Sequence, residues 1–165
     1  MYLEIQNLVY QAETQYLHSQ ETAKLKDCTL SLKSRLEAYE ILRDRAIIIF
    51  QEVADQISTD FPQEKQILER VLKDWLLIIR YSAMAILLKD ATFLRHRLLE
   101  WLTDLVQVQQ RQTIDRAISE VLQKQLEKMP NSEQLALISP FINQARNTLL
   151  LANKVDKQNI YPTMI

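Results

Sequence analysis

Glycine is absent from this chain of 165 residues, and cysteine and histidine are rare, with one and two copies. Phosphate-cradling loops and dinucleotide-binding fingerprints need glycine where the backbone approaches the ligand, so both kinds of site are excluded. Tight hairpin turns of the Asn-Gly type are excluded as well. The one cysteine, Cys28, cannot form an intrachain disulfide or a cysteine-rich metal centre.

Neither positive nor negative charge is in excess, because the chain has 20 Lys and Arg residues and 21 Asp and Glu residues. A nucleic-acid partner is therefore not expected. The first residues, MYLEIQNLVYQ, lack the basic start and long apolar core of a secretory signal, so we expect a cytoplasmic location. The spacing of His18, His96 and Cys28 matches no catalytic pair and no metal-ligand set, so we expect neither enzymatic activity nor a metal.

Leu, Gln, Glu, Lys and Ala are abundant, and with no glycine they predict an almost wholly helical chain. The most apolar segment, 75–88, predicts a central helix that is buried on every side. It is too short to span a bilayer, which takes about 20 apolar residues. Around it, apolar spacing predicts helices at about 2–13, 19–30, 93–109 and 112–128, a long helix from Ser31 or Ser34 to about Ser58, and a last helix from Ser139-Pro140 to about Ala152.

The charges of the central helix pose a question about pairing. Lys73 and Asp74 have Glu69 and Arg70 four residues earlier, which predicts local ion pairs. Arg80 has no acidic residue three or four positions away. Since a buried unpaired charge is strongly unfavourable, Arg80 reaches water, pairs with an acid on another helix or chain, or contacts an anionic ligand.

The segment IIRYSAMAILLKDATFLRHRLLEWLTD is similar to a region of phycobiliproteins in which a Leu-Arg-Tyr helix ends in an aspartate turn and a second helix follows. YLHSQETAKLK, RLEAYEILRDRAIIIFQEVADQI and FINQARNTL resemble three further stretches, in the family's order. The resemblance implies one all-α, globin-like domain over residues 1–152, with an N-terminal association hairpin over residues 1–30, and leaves 153–165 as a tail.

The resemblance also implies a linear tetrapyrrole, or bilin, against the central helix. In the family an Arg-Asp pair follows the cysteine that carries the bilin; here the pair is Lys73-Asp74, and Val71 stands at the cysteine position. The implied binding is therefore non-covalent, and the implied contacts are Lys73, Asp74, Leu77, Tyr81 and Trp101, the last in place of a family glycine. The chain is similar to the cyanobacterial bilin biosynthesis-associated globins and unlike antenna subunits. Haem is a less expected ligand.

Two interpretations of the Lys73-Asp74 pair stay open. In one, Lys73 meets the bilin propionates and Asp74 meets the pyrrole nitrogens. In the other, both residues pair locally on a solvated turn, and the chain is a pigment-free interaction subunit. Under either one, the resemblance implies a homodimer, or a heterodimer with a related globin-like subunit. Arg80 would then face the partner's first helix, where Glu13 is the nearest acid to the family position.

Overall fold

The computed structural model describes residues 2–129 and 131–151, with the backbone alone for Tyr2. Within these residues all regular structure is helical, which confirms the predicted all-α fold. The helices are α1 (Tyr2–Thr14), α2 (Ser19–Asp60), α3 (Lys65–Leu88), α4 (Glu100–Gln109), α5 (Gln112–Glu127) and α6 (Ser132–Leu151), and a π-helical segment, Arg95–Leu99, directly precedes α4. The predicted tail, 153–165, lies outside the described residues.

Helix α2 is continuous, so the predicted break near Ser31 and Ser34 is wrong. Residues 19–60 contain neither proline nor glycine, and nothing in the backbone forces an end there. The Ser34 hydroxyl caps no helix start; it donates to the Glu133 carboxylate at 2.8 Å and so ties α2 to α6. Helix α2 ends at Asp60, close to the predicted end at Ser58 and directly before the turn that contains Pro62.

Helix α6 runs through Pro140, so the prediction of a helix start at Ser139-Pro140 is also wrong. A proline inside a helix costs about 3 kcal/mol. Ile138 and Ile142 on either side of it are buried, and Ala145 and Leu149 continue the same buried stripe. Each fully buried aliphatic side chain contributes about 1.5–3 kcal/mol, so the stripe outweighs the proline penalty.

The core is built around α3, whose Trp75 is completely buried. Helix α3 packs against α2, α5, α6 and the π-helical segment. The prediction that residues 75–88 are buried on every side is wrong, because Arg80, Met84 and Leu88 form an exposed stripe at four-residue spacing. The central helix therefore has one edge that the described chain does not cover.

The N-terminal part of the chain differs from the rest in burial. Among residues 3–34 none is buried, whereas α2 from Arg35 onward contributes six buried residues. Helix α1 packs against α2 and leaves Leu3, Val9 and Tyr10 more than half exposed. Helix α1 and residues 19–34 of α2 thus form a hairpin that projects from the globular core.

Candidate functional site

A buried ionic network joins α3 to the start of α5. The Arg111 guanidinium lies 2.5 Å from the Asp74 carboxylate through Nη1 and 3.1 Å from the Asp115 carboxylate through Nε. The Trp75 indole Nε1–H donates to the other oxygen of Asp115 at 2.8 Å. The Arg111 side chain is 1% exposed and the Asp115 side chain is fully buried, so the network lies inside the core.

The electrostatics of the network are set by burial. Burial raises the pKa of the Asp115 carboxyl, and the neighbouring Arg111 and the Trp75 hydrogen bond act against that rise. Arg111 therefore compensates two carboxylates, one wholly inside the protein and one near its surface. Removing one partner of such a buried network would leave an uncompensated charge, which is strongly unfavourable. The contacts of Arg111 and Asp115 with Asp74 and Trp75 therefore help to hold α5 against α3.

Asp74 is the member of the network that reaches the surface, with its side chain 16% exposed. Its Oδ2 accepts the Arg111 hydrogen bond, and its Oδ1 accepts none from the residues that the structure describes. The predicted ion pair with Arg70 does not form; the partner is Arg111, thirty-seven positions later in the chain. An ionised carboxylate has about four acceptor sites, so Asp74 retains capacity for N–H donors from another molecule.

Lys73 forms the local pair that its spacing predicts. Its ammonium lies 2.6 Å from the Glu69 carboxylate, and both side chains are largely exposed. Tyr81, two turns farther along α3, is half-buried and stacks on Phe93 with ring centroids 5.9 Å apart. Leu77 is also half-buried. Asp74, Leu77 and Tyr81 share one face of α3 by their three- and four-residue spacing.

Trp101 lies on the outer face of α4 and is 57% exposed. Leu105 and Val108 follow it on that face at four- and three-residue spacing, and Val108 is 82% exposed. Trp101 thus belongs to a solvent-facing apolar stripe and not to the core. Five pockets of 200–520 Å³ in the described residues are lined by none of the residues implied as bilin contacts.

Arg80 differs from Asp74 in its exposure and in its ion pairing. It is exposed, forms no ion pair with a described residue, and lines a 310 Å³ groove between α2 and α3. The other groove residues include no acid and are mostly apolar: Tyr39, Leu42, Arg43, Ala46, Ile47, Leu76, Ile79 and Ala83. Glu13, on α1, is exposed. Within this chain Arg80 is therefore exposed to solvent, the first of the alternatives given for it above.

Arg111 and Asp115 were missed by the sequence reasoning. A signal for them exists, because they share helical spacing with Ile118 and Leu122 and therefore lie on the buried face of α5. In the described residues no group of three or more His, Cys, Asp or Glu side chains is placed to hold a metal ion. His96 is exposed and lies 2.9 Å from Glu100, and His18 is exposed at the start of α2.

Comparison with known proteins agrees with this helical architecture. Residues 8–149 match the sequence model of the phycobilisome protein family. A search of curated proteins gave no significant match. In the described part of the chain, no helix has the length and apolarity needed to cross a membrane. Since the matched segment covers most of the sequence, the chain belongs to the phycobilisome protein family.

Proposed function

We propose that the chain binds a linear tetrapyrrole without a covalent bond, on the surface of α3 at Asp74. The observation that carries this proposal is the arrangement of Asp74. Arg111 holds one carboxylate oxygen from inside the core, and the other oxygen remains available at the surface. A carboxylate fixed in this way is suited to accept the hydrogen bonds of a row of pyrrole N–H groups.

Other side chains of the chain have the chemistry that such a ligand needs. Trp101 and Val108 offer exposed apolar surface to which the flat pigment can pack. Lys73 can serve the propionates, since its present pair with Glu69 is largely exposed and therefore weak. Val71, at the position of the family cysteine, is fully buried and cannot form a thioether. The chain would hold the pigment reversibly, as in bilin handling, and without a catalytic role.

Titration with biliverdin tests this proposal. We expect a saturable change in pigment absorbance at tens of micromolar or below, equivalent to about −6 kcal/mol or better. Of the two tryptophans, Trp75 is buried and Trp101 is exposed, so Trp101 can be replaced without a change in the core. Trp101→Phe should weaken binding, as measured by the pigment absorbance.

Asp74→Asn should weaken biliverdin binding more than Asp27→Asn, which makes the same change of charge on the hairpin. Lys73→Gln should weaken binding less than Asp74→Asn. Because Asp74→Asn also alters the Arg111 network, helicity and thermal unfolding are measured for each variant. A folded Asp74→Asn protein that binds biliverdin as tightly as the wild type would contradict the proposed site.

We further propose that the chain associates with a second copy or with a related globin-like subunit. The groove at Arg80 is mostly apolar and open, and α1 exposes apolar residues of its own. These two surfaces are complementary in character, because a projecting apolar helix can fill an apolar groove with Arg80 near Glu13 of the opposite chain.

Deletion of residues 1–17 tests the association. The variant should be monomeric or insoluble, whereas the full chain should be dimeric, alone or with its partner subunit, by sedimentation equilibrium. A truncated chain that stays soluble and keeps the dimer mass would contradict the proposal.

A second candidate is the pigment-free interaction subunit. The observation that favours it is that Arg111 already compensates the charge of Asp74, so Asp74 needs no ligand as a counter-charge. The two candidates predict the same association and differ in biliverdin binding. A dimeric protein with no saturable biliverdin signal would support this second function. The cytoplasmic location and cyanobacterial origin stay predictions from the sequence.

A further inference from the structure

The outer face of α4 carries an apolar stripe that the described residues leave uncovered. The stripe consists of Trp101, Leu105 and Val108, which follow one another at four- and three-residue spacing. Trp101 and Val108 are largely exposed, whereas Leu105 packs partly against the core. Because these side chains adjoin one another on one helix face, they indicate a contact surface and not isolated exposure.

An aspartate lies within this stripe. Asp104 follows Trp101 by three positions and precedes Val108 by four, so it shares their face of α4. Asp104 is exposed and forms no ion pair with a described residue, whereas Glu100, one turn earlier, lies 2.9 Å from His96. A segment that covers the stripe should therefore combine apolar side chains with a positive charge.

Helix α6 brings the next part of the chain toward α4. Its first turn is held on α2, where the Glu133 carboxylate accepts a hydrogen bond from the Ser34 hydroxyl. Farther along α6, the Gln144 side chain donates to the Ala91 carbonyl at 3.3 Å, in the turn before the π-helical segment. Helix α6 also contacts that segment and α4. The C-terminal half of α6, which ends at Leu151, therefore lies on the α4 side of the domain.

The sequence after Leu151 has the composition that the stripe requires. Fourteen residues, ANKVDKQNIYPTMI, follow Leu151. Their lysines, Lys154 and Lys157, come before a mostly apolar end that includes Ile160 and Tyr161. At about 3.3 Å per extended residue, fourteen residues can reach roughly 46 Å, whereas the stripe is only about 10 Å long. The segment is therefore long enough to cover the stripe.

We propose that residues 152–165 of this chain dock on the apolar stripe of α4, with Ile160 and Tyr161 against Trp101 and a lysine of the same segment beside Asp104. A segment joined to a helix that contacts α4 is present at the stripe at an effective concentration on the order of millimolar. Contacts too weak to hold a separate peptide can therefore hold this one. This advantage favours the chain's own segment as the occupant over an outside partner.

The docked segment would occupy apolar surface that the proposed function gives to the pigment. Docking does not rest on that function, but competition between segment and pigment does. If the pigment binds as proposed, truncation after Ala152 should tighten biliverdin binding severalfold, because the pigment no longer has to displace the segment. The test of docking itself uses no pigment, so a failure of biliverdin binding would leave its result unaffected.

The indole N–H resonance of Trp101 reports the docking. Isotope-labelled protein gives two indole resonances, from Trp75 and Trp101, and Trp101→Phe assigns them. Truncation after Ala152 should shift the Trp101 resonance and leave that of the buried Trp75 in place. A peptide of residues 153–165, added to the truncated chain, should return the Trp101 resonance saturably toward its full-length position. A Trp101 resonance that truncation leaves unchanged would overturn the proposal.

A mixing experiment separates docking within one chain from docking between chains. Labelled truncated protein is mixed with unlabelled full-length protein at equal micromolar concentrations. We expect no shift of the Trp101 resonance, because each full-length chain holds its own segment. A shift toward the full-length position would place the segment on a second copy and overturn docking within the chain.

Substitutions in the segment keep its length and test its chemistry. The double variant Ile160→Ser, Tyr161→Ser should shift the Trp101 resonance as truncation does. The matched double variant Asn153→Ser, Gln158→Ser should not. If the truncated chain does not fold, this pair of variants decides, and equal Trp101 resonances in the two would overturn the proposal.

Asp104→Lys tests the charge contact. It should weaken binding of the peptide to the truncated chain by about threefold or more, because it replaces an attraction to the lysines by a repulsion. Glu52→Lys makes the same change of charge on an exposed position of α2 and should leave the affinity unchanged. Equal affinities in the two variants would overturn the pairing of the segment with Asp104.

Discussion

Two arginines show how the two edges of the central helix α3 differ. Arg111 lies at the start of α5 and packs against α3, whereas Arg80 belongs to α3 itself. Arg111 is buried and compensated by two aspartates of its own chain. Arg80 is exposed, lines an apolar groove and has no acidic partner among the described residues. Arginine thus closes the core on one edge of α3. On the other edge it leaves a positive charge that is available to a partner.

The difference shows how the two edges can carry different tasks. A charge that the chain compensates internally fixes side-chain positions, so Asp74 presents its free oxygen from a rigid base. A charge left exposed beside an apolar groove costs little in the isolated chain and can contribute orientation and specificity when a partner covers it. On this account, the edge at Asp74 binds a small ligand and the edge at Arg80 binds a protein.

Arg111→Met should have the largest effect, because it leaves two carboxylates, one of them fully buried, without their counter-charge. We expect a loss of about 3–5 kcal/mol in the free energy of unfolding, measured by urea denaturation. Arg146→Met is the matched control, since the pair of Arg146 with Glu120 is longer, at 3.5 Å, and half-exposed. Its loss should stay below about 1 kcal/mol. Equal losses in both variants would contradict the role of Arg111 in closing the core.

Arg80→Glu should leave the unfolding of the monomer nearly unchanged but weaken association. We expect at least about a tenfold increase in the dimer dissociation constant, or about 1.4 kcal/mol. Arg70→Glu makes the same change on an exposed position of α3 and should have no such effect. If Arg80 meets Glu13 of the partner, the double variant Arg80→Glu, Glu13→Arg should recover much of the affinity. A double variant as weak as the single one would argue against this contact.

Replacement of Asp90, in the turn after α3, should have the smallest effect on the free energy of unfolding. Its carboxylate accepts hydrogen bonds from the Thr92 hydroxyl and backbone N–H, which lower the pKa of Asp90. Because its folded pKa is lowered, its stabilisation is present above the unfolded value of about 3.9 and is lost as pH falls through the folded value. Asp90→Ala should therefore be slightly less stable than wild type at pH 7, and the difference should shrink in acid. A difference that is constant with pH would contradict this role.

Local sequence patterns predicted most of the helices, but they did not predict every point at which a helix begins or continues. The long helix predicted to end near Ser58 ends at Asp60, and the aspartate turn implied by the resemblance forms at Asp90–Thr92. Pro140 was expected to begin a helix and lies inside one, because Ile138 and Ile142 are buried on either side of it. The π-helical segment at Arg95–Leu99 has no local signal; its register places Leu98 and Leu99 both in the core.

The candidate site could be predicted in part. The resemblance indicated Asp74, but spacing suggested Arg70 as its partner, because local pairs are all that spacing can show. Arg111 becomes its partner only through the packing of α5 on α3.

The central claim is that the chain binds a bilin at Asp74 without a covalent bond. The most direct test is whether bound biliverdin is released when the protein is denatured. The protein is mixed with biliverdin, separated from free pigment by gel filtration, and separated again in acidic urea. The account predicts that pigment elutes with the native protein, at about one per chain, and is released completely in urea, with Cys28→Ser behaving identically. Absence of pigment from the native fraction, or pigment that stays attached in urea, would contradict non-covalent binding at Asp74.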